Sequence, residues 1–180
     1  MNMENIVVGD DELIDFLVHA KKTCITSGKN SFNRGQLSYE IERLGSLCQS
    51  SYETVKFRRD DLVFWIHYGG HLKPEALPVE IGEDGKHFLM RRVNNFLNKC
   101  CLGVEPSRPF RGPEERKITF PGFEDMRYAA QIDSDCLSEA GAVNLNHFGG
   151  TDVVVIEFEK MLYNIWEGRY VGGRVTGKSL

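Results

Sequence analysis

The sequence predicts an α+β fold: a mostly antiparallel, curved sheet packed by two main helices. Three observations predict it. Residues 10–22 and 86–102 repeat apolar side chains at helical spacing. The remaining ordered stretches are short aromatic and β-branched runs, which favour strands. Three of those runs lead into an aromatic-Gly-Gly turn: Tyr68-Gly69-Gly70, Phe148-Gly149-Gly150 and Tyr170-Val171-Gly172-Gly173.

In chain order, the first helix covers 10–22. Asp10 or Asp11 caps it, and Leu13, Ile14, Phe16, Leu17 and Ala20 form its stripe. Lys21 and Lys22 fall at its C-terminal end, where the helix dipole favours cations. Residues 23–35 hold Gly28, Gly35 and many polar side chains and read as a loop. Leu37, Ile41 and Leu44 predict a short helix that stops at Gly45. Residues 52–59 alternate as a half-buried strand, Asp60-Asp61 is turn chemistry, and 62–68 forms the partner strand of a hairpin. Gly69-Gly70 ends it.

Pro74, Pro78, Gly82 and Gly85 break the chain before the second helix, with room for an edge strand at Val79–Ile81. The helix at 86–102 presents Phe88, Leu89, Val93, Phe96, Leu97 and Cys100, and Gly103 stops it. Residues 103–123, rich in proline and glycine, form a stiff connector long enough to cover or bind something. Strands follow at 126–132, 142–148, 152–158 and 161–170, with Glu159-Lys160 turning the last hairpin. Residues 1–9 and 174–180 are expected to fray.

The 180 residues fit a single domain spanning the chain, large enough to bury roughly 70% of its unfolded surface. Apolar residues at 41% and charged residues at 27% match a globular composition and argue against disorder. A net charge of −4, with basic pairs scattered among acids, argues against general nucleic-acid or anionic-membrane binding. The acidic N-terminus is no secretory leader, and no apolar run approaches the ~20 residues of a membrane helix. Cys24, Cys48, Cys100, Cys101 and Cys136 are odd in number and lack zinc-ligand spacing. They read as free thiols of a cytoplasmic protein. An adjacent redox-sensing pair, Cys100-Cys101, is the alternative.

The segments ELIDFLVHAKK (12–22), YETVKFRRDDLVFWIHYGG (52–70), PSRPFRGPE (106–114) and MLYNIWEGRYVGG (161–173) resemble a prokaryotic family of small domains of unknown function. In that family a helix precedes an aromatic strand ending in Gly-Gly. A second helix, a Pro-Phe-Arg-Gly-Pro loop and a last Tyr-containing strand then follow. Some members are fused to helix-turn-helix regulators, and this chain shows no such segment. The stretch after the first Gly-Gly is shorter here than in the family pattern. The resemblance implies a fold and supplies no activity.

No catalytic motif, phosphate loop or metal signature stands out, and no cofactor is assigned. Candidate sites come from residue chemistry. Arg111, with Arg108 and Arg116, gives the proline loop planar donors for a carboxylate or phosphate. Tyr68, Trp166 and Tyr170 combine apolar rings with polar tips suited to a ligand pocket or interface. His67, His71 and His147 flank the Gly-Gly turns, and convergence with Asp133, Asp135 or Asp152 would make a metal site. Glu157, Glu159 and Glu167 offer an acid–base pair across the last hairpin. Two functions stay open. One is a ligand-binding or protein-interaction domain with a regulatory role, taking a small molecule, a protein or a second copy. The other is a small enzyme using histidines and acids near the glycine turns.

Overall fold

The computed structural model describes residues 8–45, 48–58, 61–107, 109, 115–116, 120–137 and 143–175. Two helices, α1 (Asp10–Ser27) and α2 (Glu83–Cys101), each precede four strands. The first set is β1 (Ser31–Arg34), β2 (Leu37–Leu44), β3 (Cys48–Phe57) and β4 (Asp61–Leu72). The second is β5 (Glu115–Arg116), β6 (Met126–Ile132), β7 (Phe148–Phe158) and β8 (Met161–Arg174). All neighbours pair antiparallel in the order β1-β2-β3-β4-β8-β7-β6-β5. The sheet is curled and not closed, with the helices packed on it, so the α+β expectation holds. Among the described residues no helix is long and apolar enough to cross a membrane.

Both helices lie on one face. Leu13, Phe16, Leu17 and Ala20 of α1 pack with Tyr39, Val55, Phe64, Ile66 and Tyr68. Leu89, Met90, Val93 and Phe96 of α2 pack with Leu72, Met126, Tyr128, Val154 and Trp166. Phe64, Ile66, Tyr68 and Leu72 alternate along β4, so one side of that strand serves both helices.

The strand order is two four-stranded meanders joined head to head at β4–β8. An approximate two-fold axis normal to the sheet passes where Tyr68 pairs with Tyr170. Stepping outward from that pair gives matched positions. Ser51 faces Tyr68 as Gly150 faces Tyr170. Two residues along lie Glu53 and Asp152, the two buried carboxylates among the described residues. Ile41 and Ala130 face these, and two residues further stand Tyr39 and Tyr128, opposite Val55 and Val154. Each half therefore repeats Tyr–acid–Tyr on its helix side.

Several sequence expectations are corrected. Residues 37–44 are a strand, not a helix: Leu37, Tyr39 and Ile41 point inward while Glu40 and Glu42 point out. The first helix runs to Ser27 and ends at Gly28, whose φ of 68° is left-handed. The expected loop at 23–35 therefore holds a helix end and β1. Val79–Ile81 forms no strand, and within 142–148 only Val143 makes an isolated bridge before β7 starts. Arg174 is not frayed, because it ends β8 and donates to the Val8 carbonyl at 2.8 Å. Glu159 and Lys160, with φ of 50° and 65°, make the left-handed two-residue turn of the last hairpin.

The largest correction concerns the Gly-Gly pairs. They do not end strands but lie inside β4, β7 and β8. None of their glycines has positive φ. They are places where a neighbouring side chain lies flat on bare backbone. The indole of Trp166 occupies the space a Cβ of Gly70 would need, and the Phe148 ring does the same at Gly172.

Candidate functional site

The candidate site is a cleft between the two helix-packed clusters. α1 supplies Lys21, Cys24 and Ile25, and α2 supplies Asn94, Asn98 and Cys101. The floor is Tyr39, Ser51, Glu53, Tyr68, Gly70 and Trp166, and Arg43 stands at the mouth. The cavity measures about 350 Å³, at the small end of the range for small-molecule sites.

The cleft follows from one of the connections in which the two halves differ. Between β2 and β3 the connection has only residues 45–47. Between β6 and β7 it runs through 133–147 and carries Cys136 and Leu145 into the core beside α1, Ile132, Phe148 and Tyr170. The second half is thus filled by its own chain, and the first is open.

Its depth holds a buried charged network. Lys21 lies one turn beyond Leu17 on the inward stripe of α1, so the longer helix carries it into the core. Its Nζ is 2.8 Å from Glu53 Oε2 and donates to the Tyr68 hydroxyl at 2.6 Å. The paired side chains are only 5% and 8% exposed. Burial, then the charge of Glu53 and the hydrogen bond to it, raises the Tyr39 phenol well above its ordinary value. Burial also raises the Cys24 thiol, with the charge of Arg43 pulling the other way. A buried ion pair contributes less stability than well-packed apolar residues of the same volume.

Two further groups border this region, Asn94 and Arg43. Asn94 Oδ1 is buried with no hydrogen-bond partner among the described residues. Arg43 is exposed, and its Nη1 donates to Asn30 Oδ1 at 2.8 Å. Among the described residues no carboxylate pairs with it.

The residues singled out from the sequence are distributed as follows. Tyr68 and Trp166 line the cleft. Tyr170 is 2% exposed and packs behind them, its ring 6.0 Å from that of Tyr68. Arg111 and Arg108 lie outside the described residues, and Arg116 belongs to the short β5. His67 and His71 share the sheet face away from the helices, because the strand continues through Gly69-Gly70. They sit four residues apart along β4, roughly 13 Å. His67 stacks on Tyr52 at 4.3 Å and pairs with Ser50 Oγ at 2.9 Å. The His147 backbone lies beside Gly173, which pairs with Trp65, beyond His67 along the seam. The three imidazoles are strung out and do not converge.

Among the described residues the cluster with metal-ligand spacing is Asp133, Asp135 and Cys136, and it contains no histidine. Burial raises the Cys136 thiol, and Arg169 sits 3.4 Å from Asp133. Glu157 pairs with Arg127 at 3.5 Å and Glu167 with Lys73 at 2.9 Å, at opposite ends of the last hairpin. Glu157 and Glu167 therefore do not meet across the hairpin, and Glu159 lies in its turn, two residues beyond Glu157. Reading the sequence missed Lys21 and Glu53. The available signal for Glu53 was the twice-repeated order of tyrosine, acid and a tyrosine with glycine two residues on, obscured by unequal loops. Comparison of the chain with protein-family models, curated proteins and solved structures finds no match.

Proposed function

We propose that this chain is a cytoplasmic ligand-binding domain whose site is the cleft between α1, α2 and the β2–β4 half of the sheet. The observation that carries this reading is the buried Lys21–Glu53 pair opening on a cavity that the second half of the molecule fills with its own chain. A scaffold built for stability alone would fill both places with apolar side chains. The free thiols of Cys24 and Cys136, both buried, support a reducing compartment.

The test is a screen of small polar metabolites by ligand-observed NMR against the wild type and Asn98→Trp. Asn98 is exposed at the cleft wall, so an indole there narrows the mouth without touching the core. Compounds that bind the wild type should lose their signal with the variant. Binders indifferent to Asn98→Trp, or no binders at all, would sink the reading.

A further inference from the structure

We infer that the cleft takes a small organic anion, its carboxylate or phosphate held by Arg43 at the mouth and a hydroxyl or amine on its body donating to Asn94. This rests on the reading of the cleft as a binding site and adds the class of ligand and its orientation. Charge balance carries the first half. Lys21 is matched by Glu53 at 2.8 Å, so the depth of the cleft is neutral. Arg43 is the remaining cation in the wall, and its described partner is the neutral amide of Asn30. Its charge acts on the interior, since it opposes the upward shifts of both Cys24 and Tyr39. A guanidinium unmatched by a carboxylate at a concave mouth recognises an anion by paired, charge-assisted hydrogen bonds.

The second half comes from hydrogen-bond accounting. Lys21 engages the Tyr68 hydroxyl and Tyr39 donates to Glu53, so these groups are already used. Asn94 Oδ1 is a buried acceptor with no described partner, in the wall opposite the sheet. Leaving such an atom unmatched is costly, and a donor on the ligand would relieve it. Tyr68 and Trp166 border the space between, which suits a flat body.

Three probes of one shape separate the outcomes: meta-hydroxybenzoate, meta-hydroxybenzamide and meta-hydroxybenzylamine at millimolar concentration. Binding is read by calorimetry, and occupancy of the cleft by slowed alkylation of Cys101 with iodoacetamide. The benzoate is expected to bind about tenfold or more tighter than the amide or the amine. Arg43→Gln should erase that preference, and Asn94→Leu should weaken all three. The exposed position of Arg43 leaves the fold intact, checked by an unchanged melting temperature. If the amide or amine protects Cys101 as well as the benzoate does, or Arg43→Gln changes nothing, the anion inference is overturned and the cleft reading stands. If none of the three protects Cys101, both fall.

Discussion

At Gly69 and Gly70 two adjacent residues of the same type have opposite environments. A Cβ on Gly69 would meet nothing within 4 Å, whereas one on Gly70 would enter the Trp166 indole. Gly69→Ala should therefore be neutral or stabilise by up to about 1 kcal/mol through reduced unfolded-chain entropy. Gly70→Ala should destabilise by about 1–3 kcal/mol through overpacking. Equal shifts of the urea midpoint for both would refute this account of the pair. The buried network gives a second residue-scale prediction. Lys21→Met alone, which strands Glu53, should cost about 3–5 kcal/mol, and Lys21→Met with Glu53→Leu clearly less than the two single changes added together. Additive losses in a double-mutant cycle would mean that the two side chains do not act as a pair. Neither residue was legible as buried. A lysine near a helix end and a glutamate in an alternating strand both read as solvent-facing, and only the helix length and strand register turn them inward.

Among the elements, α2 is fastened to the turn before β6 by an ion pair beside the ring contacts of Phe96 with Phe120 and Phe123. Arg92 reaches both carboxylate oxygens of Asp125, at 2.5 and 2.8 Å, and the Gly122 carbonyl at 3.2 Å. Burial raises the Asp125 carboxyl, but the hydrogen bonds and charge of Arg92 outweigh it, and the net shift is below the ordinary value of 3.8. A lowered folded-state value means that the pair stabilises above that pH, and that the contribution is lost as pH falls through the folded value. Asp125→Asn should thus cost under about 1 kcal/mol of stability at neutral pH for so partly exposed a pair, read as a lower urea midpoint. The gap from wild type should close in acid, and a gap constant with pH would argue against the ion pair as its source. The helices themselves were legible because their apolar stripes admit one period. β2 was not, because Leu37, Ile41 and Leu44 fit a helical stripe while Leu37, Tyr39 and Ile41 fit an alternating one. Pairing with β3 along the whole strand decides between them.

For the whole molecule, the two-fold arrangement divides topology but not the core. The cluster under α1 takes Ile132, Cys136, Leu145, Phe148 and Tyr170 from the second half. Unfolding should therefore be one cooperative transition. Trp65 and Trp166 report from β4 and β8, so fluorescence and far-ultraviolet circular dichroism should give coincident midpoints. Separate midpoints would mean that each meander holds its own fold. The two-fold arrangement escaped a reading of the sequence because the equivalent connections, 45–47 and 133–147, have very different lengths. The ring-on-glycine contacts also bear on how the halves find each other. Sliding β8 by two residues along β4 would keep every side chain on its proper face. It would also move the Trp166 indole from Gly70 toward Tyr68 or toward the end of the strand, and shift Gly172 away from the Trp65 carbonyl. The glycines thus act as a key for alignment: only one setting of the central seam lets the layer beneath the helices close.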